Sequence, residues 1–387
     1  MVSDRTDFNQ TASGQKHEKR GVVIFGYFGQ GNLGDESNLN QLVRRLQSRF
    51  DGLPITVISG DPAQTAAIYE VVSIHKFNLA ALVRSFQGAA WLIGGSGTVF
   101  QDRSSLRSLL YYLGIIALAK LCNLKIFLYG QGFGPMNGRI GKTLAQFLLN
   151  RVELIAARDK LSLLTLAELG IDRPEIHYTA EPMLLASPLG EEHWRSFWRQ
   201  FPPATKTRIG IVVQQDTGVP DEEWSAFFQY LLWQGSIELF LVTTDRNDRE
   251  FALMLGARAG ATVLTPAQSW EDLQRSVAGV DLLISTRLHG LVAAVTQNVP
   301  CLGISFDPKI EGFCLQLKIE CQRVVNDFDW ERIAQKASAI LEQMLDRPRV
   351  DQLELTFWQT RAWENWCLLE KALETATDAS FSTRHSH

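Results

Sequence analysis

The feature that most constrains the fold of this chain is a repeated alternation of short apolar runs and helical patterns. In the first half, the apolar runs predict buried strands at residues 21–27, 54–59, 89–94, 125–130 and 153–157. Helical patterns fill the gaps, at residues 37–50, 104–121, 139–150 and 161–169. Because the strands lack a clean polar–apolar alternation and are separated by helices, they indicate a parallel sheet covered on both faces.

A second alternation follows a mixed, proline-containing stretch at residues 182–203. It predicts strands at residues 208–214, 237–243, 261–264, 281–285 and 300–304. The helices between them fall at residues 222–233, 248–259, 270–278 and 288–298. Two such halves in tandem favour an α/β fold with two Rossmann-like domains facing each other across a cleft.

The alternation also sets the predicted domain boundaries. We expect a first domain at residues 21–187, a second at 188–350 and a closing helix at 351–379. The tryptophans of that helix, Trp358, Trp363 and Trp366, are expected to anchor it in both domains. The flanking segments 1–20 and 380–387 are predicted to be disordered tails.

Composition narrows the class of protein. The 387 residues are 21% charged and 45% hydrophobic, which is typical of a globular enzyme. The net charge of −4 gives no overall attraction to nucleic acid. The polar start of the chain predicts no secretion signal, and the five cysteines contain no Cys-x-x-Cys pair, so we expect reduced thiols and a cytoplasmic protein. The seven histidines form no metal-binding pattern, so we predict no metal site.

Glycine-rich segments follow three predicted strands of the first domain. They occupy residues 26–36, 94–98 and 130–135, and the first contains Asn32, Gly34 and Asp35. Backbone N–H groups in such turns can approach an anion, and the carboxyl ends of parallel strands are where ligands bind. Close packing against the other domain would explain the glycines equally well, and Asp35 could simply be an acid in the first turn of a helix.

Basic residues follow strands of both domains. Arg158 ends a first-domain strand, Arg287 and His289 lie in the turn 285–290, and Lys309 comes after the next strand. Arginine binds carboxylates and phosphates, and histidine exchanges protons near neutral pH. The alternative for Arg158 is a surface ion pair with Asp159, which these residues favour when taken by themselves, and a lone histidine would only cap a helix. Convergence of Arg287, His289 and Lys309 on one edge instead indicates an anion site with an acid–base group.

These stretches together resemble the polysaccharide pyruvyl transferases, in particular the bacterial cell-surface-anchoring type. The matching segments run in order from residue 26 to residue 309, and they include Arg158-Asp159, Arg287-Leu288-His289 and Asp307-Pro308-Lys309. The resemblance implies a fold similar to the GT-B glycosyltransferases. It also implies transfer of the pyruvyl group of phosphoenolpyruvate to two hydroxyls of one sugar, as a cyclic ketal, with release of phosphate.

The resemblance assigns roles by position. His289 and Asp35 would be catalytic, with His289 as the acid that protonates the donor and Asp35 acting on an acceptor hydroxyl. The expected donor-binding residues are Arg158, Arg287, Lys309, Gly95 and Gly97. The expected acceptor-binding residues are Asn32, Gly34 and Gln131. No cofactor beyond phosphoenolpyruvate as substrate is expected, and a lipid-linked sugar acceptor would imply peripheral contact with the inner face of the plasma membrane.

The chain departs from the family pattern at three places. It has Gln214-Gln215 where an arginine is expected, Glu181-Pro182 in place of Asp-Pro, and Ser96 in place of a glycine. A sugar-nucleotide-dependent glycosyltransferase and a non-catalytic sugar-binding protein on the same fold therefore stay open as alternatives.

Overall fold

The structure, a computed structural model, describes residues 21–382 apart from residues 104, 234–235, 325–326 and 344–349. The predicted disordered tail 1–20 and the segment 383–387 lie outside the described residues. Residues 380–382, which were assigned to the second tail, instead continue the last helix.

The first half of the chain builds an eight-stranded sheet whose paired strands are all parallel. Its strands are β1 Gly21–Phe25, β2 Ile55–Ser59, β3 Val72–His75, β4 Ala89–Gly94, β5 Gly97–Phe100, β6 Lys125–Phe133, β7 Leu154–Ala157 and β8 Glu175–Tyr178. The order is β3-β2-β1-β4-β6-β7-β8, and β5 pairs with β6. The order reverses between β1 and β4, and such a switch point is where open α/β sheets bind ligands.

The second half builds a six-stranded parallel sheet. Its strands are β9 Thr207–Val212, β10 Ile237–Val242, β11 Thr262–Val263, β12 Leu282–Ser285, β13 Cys301–Ser305 and β14 Cys321–Arg323. The order is β11-β10-β9-β12-β13-β14, so the switch point lies between β9 and β12. The prediction of two parallel-sheet α/β domains is confirmed.

Helices cover both sheets. They are α1 Leu33–Arg49, α2 Pro62–Tyr69, α3 Leu79–Gln87, α4 Leu106–Leu121, α5 Arg139–Leu149, α6 Lys160–Glu168, α7 Glu191–Trp198, α8 Asp221–Trp233, α9 Arg249–Ala259, α10 Trp270–Ala278, α11 Leu288–Thr296, α12 Pro308–Gln316, α13 Trp330–Gln343 and α14 Gln352–Ser382. Two short 3₁₀ segments lie at Pro182–Leu185 and Arg246–Asp248. None of the helices in the described ranges combines the length and apolarity needed to cross a bilayer.

The last helix joins the two halves. Trp358 packs in the core of the second half, whereas Trp366 packs against β1, α1 and β6 of the first. Trp363 is 44% exposed and lies under the guanidinium of Arg45, so it is a surface contact and not the core anchor expected.

One glycine-rich segment differs from its prediction. The segment 130–135 was expected to be a turn, but β6 continues through it to Phe133. Gly130 adopts a left-handed conformation (φ +53°), and the pairing register of β6 shifts between Leu128 and Gln131. A Cβ at residue 130 would lie 2.5 Å from Pro182, so glycine allows the strand to bulge past that proline instead of ending.

Candidate functional site

The turn after β12 presents His289 at the start of α11. Arg287 is the residue before the helix. The Ser285 hydroxyl accepts a hydrogen bond from the Arg287 N–H at 3.1 Å and donates one to the Arg287 carbonyl at 2.7 Å. Gly290 leaves room for this arrangement, since a Cβ there would lie 2.4 Å from Ser285 Oγ. The turn therefore fixes the backbone of His289 and aims its side chain at the first domain.

The His289 side chain packs against the N-terminus of α1. Asn32 caps the helix, and its side-chain oxygen accepts from the N–H groups of Gly34 at 3.1 Å and Asp35 at 3.2 Å. The His289 ring lies directly against Gly34, where a Cβ would be 1.9 Å from Nδ1. Asn32 also forms a β-bridge with Asp245 of the second half, so the two domains meet at this point.

A buried carboxylate, Glu181, connects the histidine to an arginine. Its Oε2 accepts a 2.7 Å hydrogen bond from Arg158, and its Oε1 accepts one of 3.0 Å from Asn38. Nε2 of His289 lies 3.9 Å from Oε1. Within the described residues this Nε2 is a buried atom with no hydrogen-bond partner. An unsatisfied ring nitrogen beside a charged pair is typical of a group that awaits a ligand or a proton.

In the sequence, Glu181 stands out only as a departure from the aspartate that the family pattern predicts. The structure makes it the central carboxylate of the site, 1% exposed between Arg158 and His289. Thr98 was also missed, and its hydroxyl accepts a 2.7 Å hydrogen bond from Arg158. The sequence signal that points to Glu181 is an acidic residue before a proline at the predicted domain boundary.

Asp35 lies on the other side of the site, next to Gly97. A Cβ at residue 97 would lie 2.8 Å from the Asp35 carboxylate, and Gly97 has a φ of +143°, so glycine is needed here for both space and backbone conformation. Burial raises the pKa of Asp35 to about 7, although Lys309 and Arg158 act in the opposite direction. Near neutral pH this carboxyl therefore carries a proton for part of the time.

Burial has the opposite effect on His289, because its charged form is the protonated one. Burial is the largest cause, and together with the cations Arg158, Lys309 and Arg287 it lowers the pKa of the imidazole to about 4, against the attraction of Glu181. The ring is therefore neutral at pH 7 in the free protein. As found, the histidine is a proton acceptor, and Asp35 is the group that holds a proton.

Lys309 is the most accessible of the predicted donor-binding cations. It stands in the first turn of α12, with its side chain 34% exposed and its Nζ 3.6 Å from Asp307. The first domain reaches this turn through Arg103, which donates to the Phe306 carbonyl at 2.6 Å. Helix N-termini favour anions, so Lys309 and the start of α12 together form a suitable place for one.

The two predicted arginines are already held by carboxylates. Arg158 is 3% exposed between Glu181, Asp159 and Thr98. Arg287, expected to bind the donor, instead grips Asp248 through two hydrogen bonds of 3.0 and 2.6 Å. Buried guanidinium groups need such partners, because an unpaired charge is costly to desolvate. Both arginines add positive charge to the site and hold neighbouring carboxylates in place, and neither guanidinium group is free to bind a ligand in the structure.

Two other predicted residues, Gly95 and Gln131, have structural roles. The N–H of Gly95 donates to the Phe25 carbonyl at 2.8 Å, and its lack of a side chain admits the ring of Phe28. Gln131, expected to contact the acceptor, is fully buried and donates to the Gly97 carbonyl at 2.7 Å. It therefore fixes the backbone that packs against Asp35 and does not line the cleft.

A recess of about 200 Å³ lies beside the site, between α1 and α2 of the first domain and residues 266–270 of the second. Trp270 lines it, and its ring centroid is 6.5 Å from that of His289, with the two rings perpendicular. Amide and hydroxyl side chains share the lining, including Asn40, Gln64 and Gln268. Such a mixture of an aromatic ring and hydrogen-bonding groups is suited to a polar organic ligand. In the described part of the chain, no three or more His, Cys, Asp or Glu side chains are grouped so as to hold a metal ion.

Comparisons with known proteins give a family and a shared fold. A family model described as polysaccharide pyruvyl transferase matches residues 32–308, which include every site residue named above except Lys309. The amylovoran biosynthesis protein AmsJ of Erwinia amylovora is 24% identical over 222 residues. That match covers 51% of this chain and 53% of AmsJ, so it spans about half the length of the relative.

Solved structures share the fold at low identity. The Anabaena protein HepE, in complex with UDP and glucose, is 11% identical and superposes with a TM-score of 0.62 over 92% of this chain and 99% of its own. The UDP-GlcNAc 2-epimerase of Neisseria meningitidis, bound to UDP-GlcNAc, is 9% identical, with a TM-score of 0.63 over 91% of this chain and 99% of its own. At such identities the likeness establishes the architecture alone.

Proposed function

The chain belongs to the polysaccharide pyruvyl transferase family, and on that premise we propose that it transfers the pyruvyl group of phosphoenolpyruvate to a sugar of a cell-wall or exopolysaccharide precursor. The observation that carries the proposal is the meeting of His289 and Asp35 with the cations Arg158 and Lys309 in one interdomain site. A small donor with a carboxylate and a phosphate requires cations and a proton-transfer group in one place.

The donor is best accommodated between Lys309 and His289. Lys309 supplies an accessible ammonium group at a helix N-terminus, and the unpartnered Nε2 of His289 points toward the charged pair of Glu181 and Arg158. Arg158 and Arg287 add positive potential without direct contact, because their guanidinium groups are held by carboxylates. Low dielectric in the site strengthens the attraction for an anion.

The reaction needs one proton at carbon and two new C–O bonds. Protonation of the vinyl CH₂ converts it to a methyl group and makes the adjacent carbon electrophilic. One sugar hydroxyl then adds to that carbon and loses its proton. Finally, the C–O bond to phosphate breaks, and a second hydroxyl of the same sugar takes its place with loss of its proton. The products are a cyclic ketal and inorganic phosphate.

His289 and Asp35 are proposed to move these protons. The free protein has a neutral His289, so the histidine must gain a proton when the donor binds. An anion beside the ring favours its charged form and offsets the cations that depress its pKa. Asp35 is proposed to accept a proton from a sugar hydroxyl in its ionised state, which its pKa of about 7 makes available near neutral pH.

The acceptor is proposed to occupy the recess lined by Trp270. The recess opens beside His289, and its aromatic and amide lining fits a sugar ring with its hydroxyls. Glu36 and Ser37, which follow Asp35 in α1, line the recess, so a sugar there would lie along the same helix as the proposed base.

Thermal unfolding of the full-length protein with different ligands tests the donor. We expect stabilisation by phosphoenolpyruvate that is lost in Lys309→Ala and kept in Lys371→Ala, a lysine of α14 outside the site. Stabilisation by sugar nucleotides only would favour a glycosyltransferase instead. Phosphate release from phosphoenolpyruvate and mass spectrometry of cell-surface glycan from a deletion strain then test the reaction, with loss of a pyruvate ketal as the expected result.

A further inference from the structure

One face of the first domain combines exposed apolar side chains with a marked excess of positive charge. It is formed by α3, α4 and α5, together with the loop of residues 76–78, and is called the basic apolar face below. Tyr111 of α4 donates to the Lys76 carbonyl at 3.1 Å, which ties the loop to the helix. The face lies away from the recess described above.

Its charge is opposite in sign to that of the whole chain. Residues 76–151 contain nine lysines and arginines and a single acidic residue, Asp102, in a chain with a net charge of −4. The three helices α3, α4 and α5 have no acidic residue at all. The carboxylate of Asp102 is occupied by the N–H groups of Asn137 and Gly138, at 2.9 and 2.7 Å. The exposed cations of the face include Arg84, Arg107, Arg139, Lys142 and Arg151.

The apolar side chains stand among these cations. Phe77 is 70% exposed, Leu79 64% and Leu121 81%, and together with Leu110 they line one shallow groove. On α5, Ile140, Leu144 and Phe147 follow helical spacing and are 65, 37 and 55% exposed. They are distinct from the buried side of α4, where Leu109, Leu113 and Ile116 pack into the core. The groove is a contiguous set of exposed apolar side chains, and α5, which packs beside α4, carries a second set; together they indicate an interaction surface.

We propose that the basic apolar face docks on the surface of an anionic lipid bilayer. Phenylalanine and leucine side chains enter the interfacial layer, while lysine and arginine bind acidic headgroups at its edge. A second copy of this chain is a poorer occupant, because a symmetric pairing of this face would bring its cations together. This docking stands independently of the chemistry; only the further step, that it presents a lipid-linked sugar to the site, rests on the proposed function.

The face is connected to the site through the start of α4. Arg103, three residues before that helix, reaches the Phe306 carbonyl and lies 3.8 Å from Asp307, two residues before Lys309. A membrane beneath α4 would therefore lie on the same side of the protein as the turn that carries Lys309. An acceptor that is anchored in the same membrane would need to diffuse only in two dimensions to reach it.

Flotation of the full-length protein with lipid vesicles tests the proposal. We expect the wild type to bind vesicles of phosphatidylcholine and phosphatidylglycerol, to bind pure phosphatidylcholine vesicles far more weakly, and to be released by salt. The pair Phe77→Ser and Leu121→Ser should lower the vesicle partition coefficient about tenfold. Lys142→Glu should lower it about fivefold. The matched controls are Leu353→Ser, at a position that is 86% exposed on α14, and Lys371→Glu.

Thermal unfolding and molecular mass in solution make each result decisive. The exposed positions should change the unfolding temperature little, so a loss of vesicle binding would report the surface and not misfolding. Equal binding of the wild type to neutral and anionic vesicles, or equal losses in the controls, would overturn the proposal. A wild-type dimer that Leu121→Ser dissociates, without vesicle binding, would identify a second copy as the occupant. Vesicle binding without turnover of phosphoenolpyruvate would instead count against the proposed function alone.

Discussion

The imidazole of His289 occupies the space that a side chain at Gly34 would fill, since a Cβ on residue 34 would lie 1.9 Å from Nδ1. The two residues come from different domains and are 255 positions apart in the chain. The glycine is therefore part of the site because of what it lacks, and it ties the geometry of the histidine to the contact between the domains.

Gly34→Ala should displace the imidazole while leaving α1 intact, because alanine favours a helix. A shift of about 1 Å at a proton-transfer group can cost about 100-fold in rate, so we expect a loss of that order in phosphate release. Gly114→Ala is the matched control, since Gly114 lies in α4 with no atom within 4 Å of its added Cβ. Full activity of Gly34→Ala would show that the position of His289 is not critical.

Glu181→Gln should destabilise the fold and impair the site together. It leaves the buried guanidinium of Arg158 with only the more distant carboxylate of Asp159, at 3.6 Å. Breaking a buried pair in this way costs about 3 kcal/mol of unfolding free energy. Denaturant unfolding measures the cost, and Glu175→Gln is the control, because Glu175 pairs with His177 in an exposed position.

The variant Glu181→Asp separates the effect of the negative charge on stability from that of side-chain length. Aspartate is the residue that the family pattern places before this proline, and it keeps the negative charge with a shorter side chain. We expect most of the stability to return in this variant. A stability as low as that of Glu181→Gln would mean that the length of the side chain, and not its charge, holds Arg158.

Asp35→Asn should stabilise the protein increasingly as the pH rises. The folded-state pKa of about 7 lies above the ordinary value of 3.8, so the folded protein binds the extra proton between these values. The contribution of this carboxyl to the free energy of unfolding is therefore fully present below about pH 4, and it is lost as the pH rises to 7. The asparagine removes that loss, for a gain on the order of 4 kcal/mol above pH 7. Unfolding at pH 5 and pH 8 checks this, with the surface change Asp172→Asn as control.

Donor binding should be accompanied by proton uptake. The cations Arg158, Lys309 and Arg287 help to hold the pKa of His289 at about 4, and a bound phosphate would offset their charge. Added negative charge beside the imidazole raises its pKa, so protons move from solvent to protein between about pH 5 and 8. Calorimetry with phosphoenolpyruvate in buffers of different ionisation enthalpy measures this uptake. It should shrink in His289→Gln, and a binding heat independent of buffer would contradict the proposed proton transfer.

The sequence determined the architecture because its signals are local. Apolar runs such as residues 89–94 and 282–285 bury a strand on both faces whatever their neighbours are, and the helix Trp270–Ala278 was predicted to the residue. The edge strand Val72–His75 was not predicted, because it is half exposed and lacks such an apolar run. Motifs in order along the chain also predicted that Asp35, Arg158, His289 and Lys309 would lie at the interdomain site, and their chemical roles stay a prediction.

What each of those residues contacts was decided by tertiary structure alone. Glu181 became central because the chain folds it between Arg158 and His289, which are 23 and 108 positions away. Arg287 donates hydrogen bonds to Asp248, and Gln131 donates one to the Gly97 carbonyl. Both contacts form because buried charged and amide groups need hydrogen-bond partners, and packing decides which partners are in reach. The protonation states of Asp35 and His289 follow the same rule, since burial raises the pKa of one and lowers that of the other, and burial is a property of the assembled cleft.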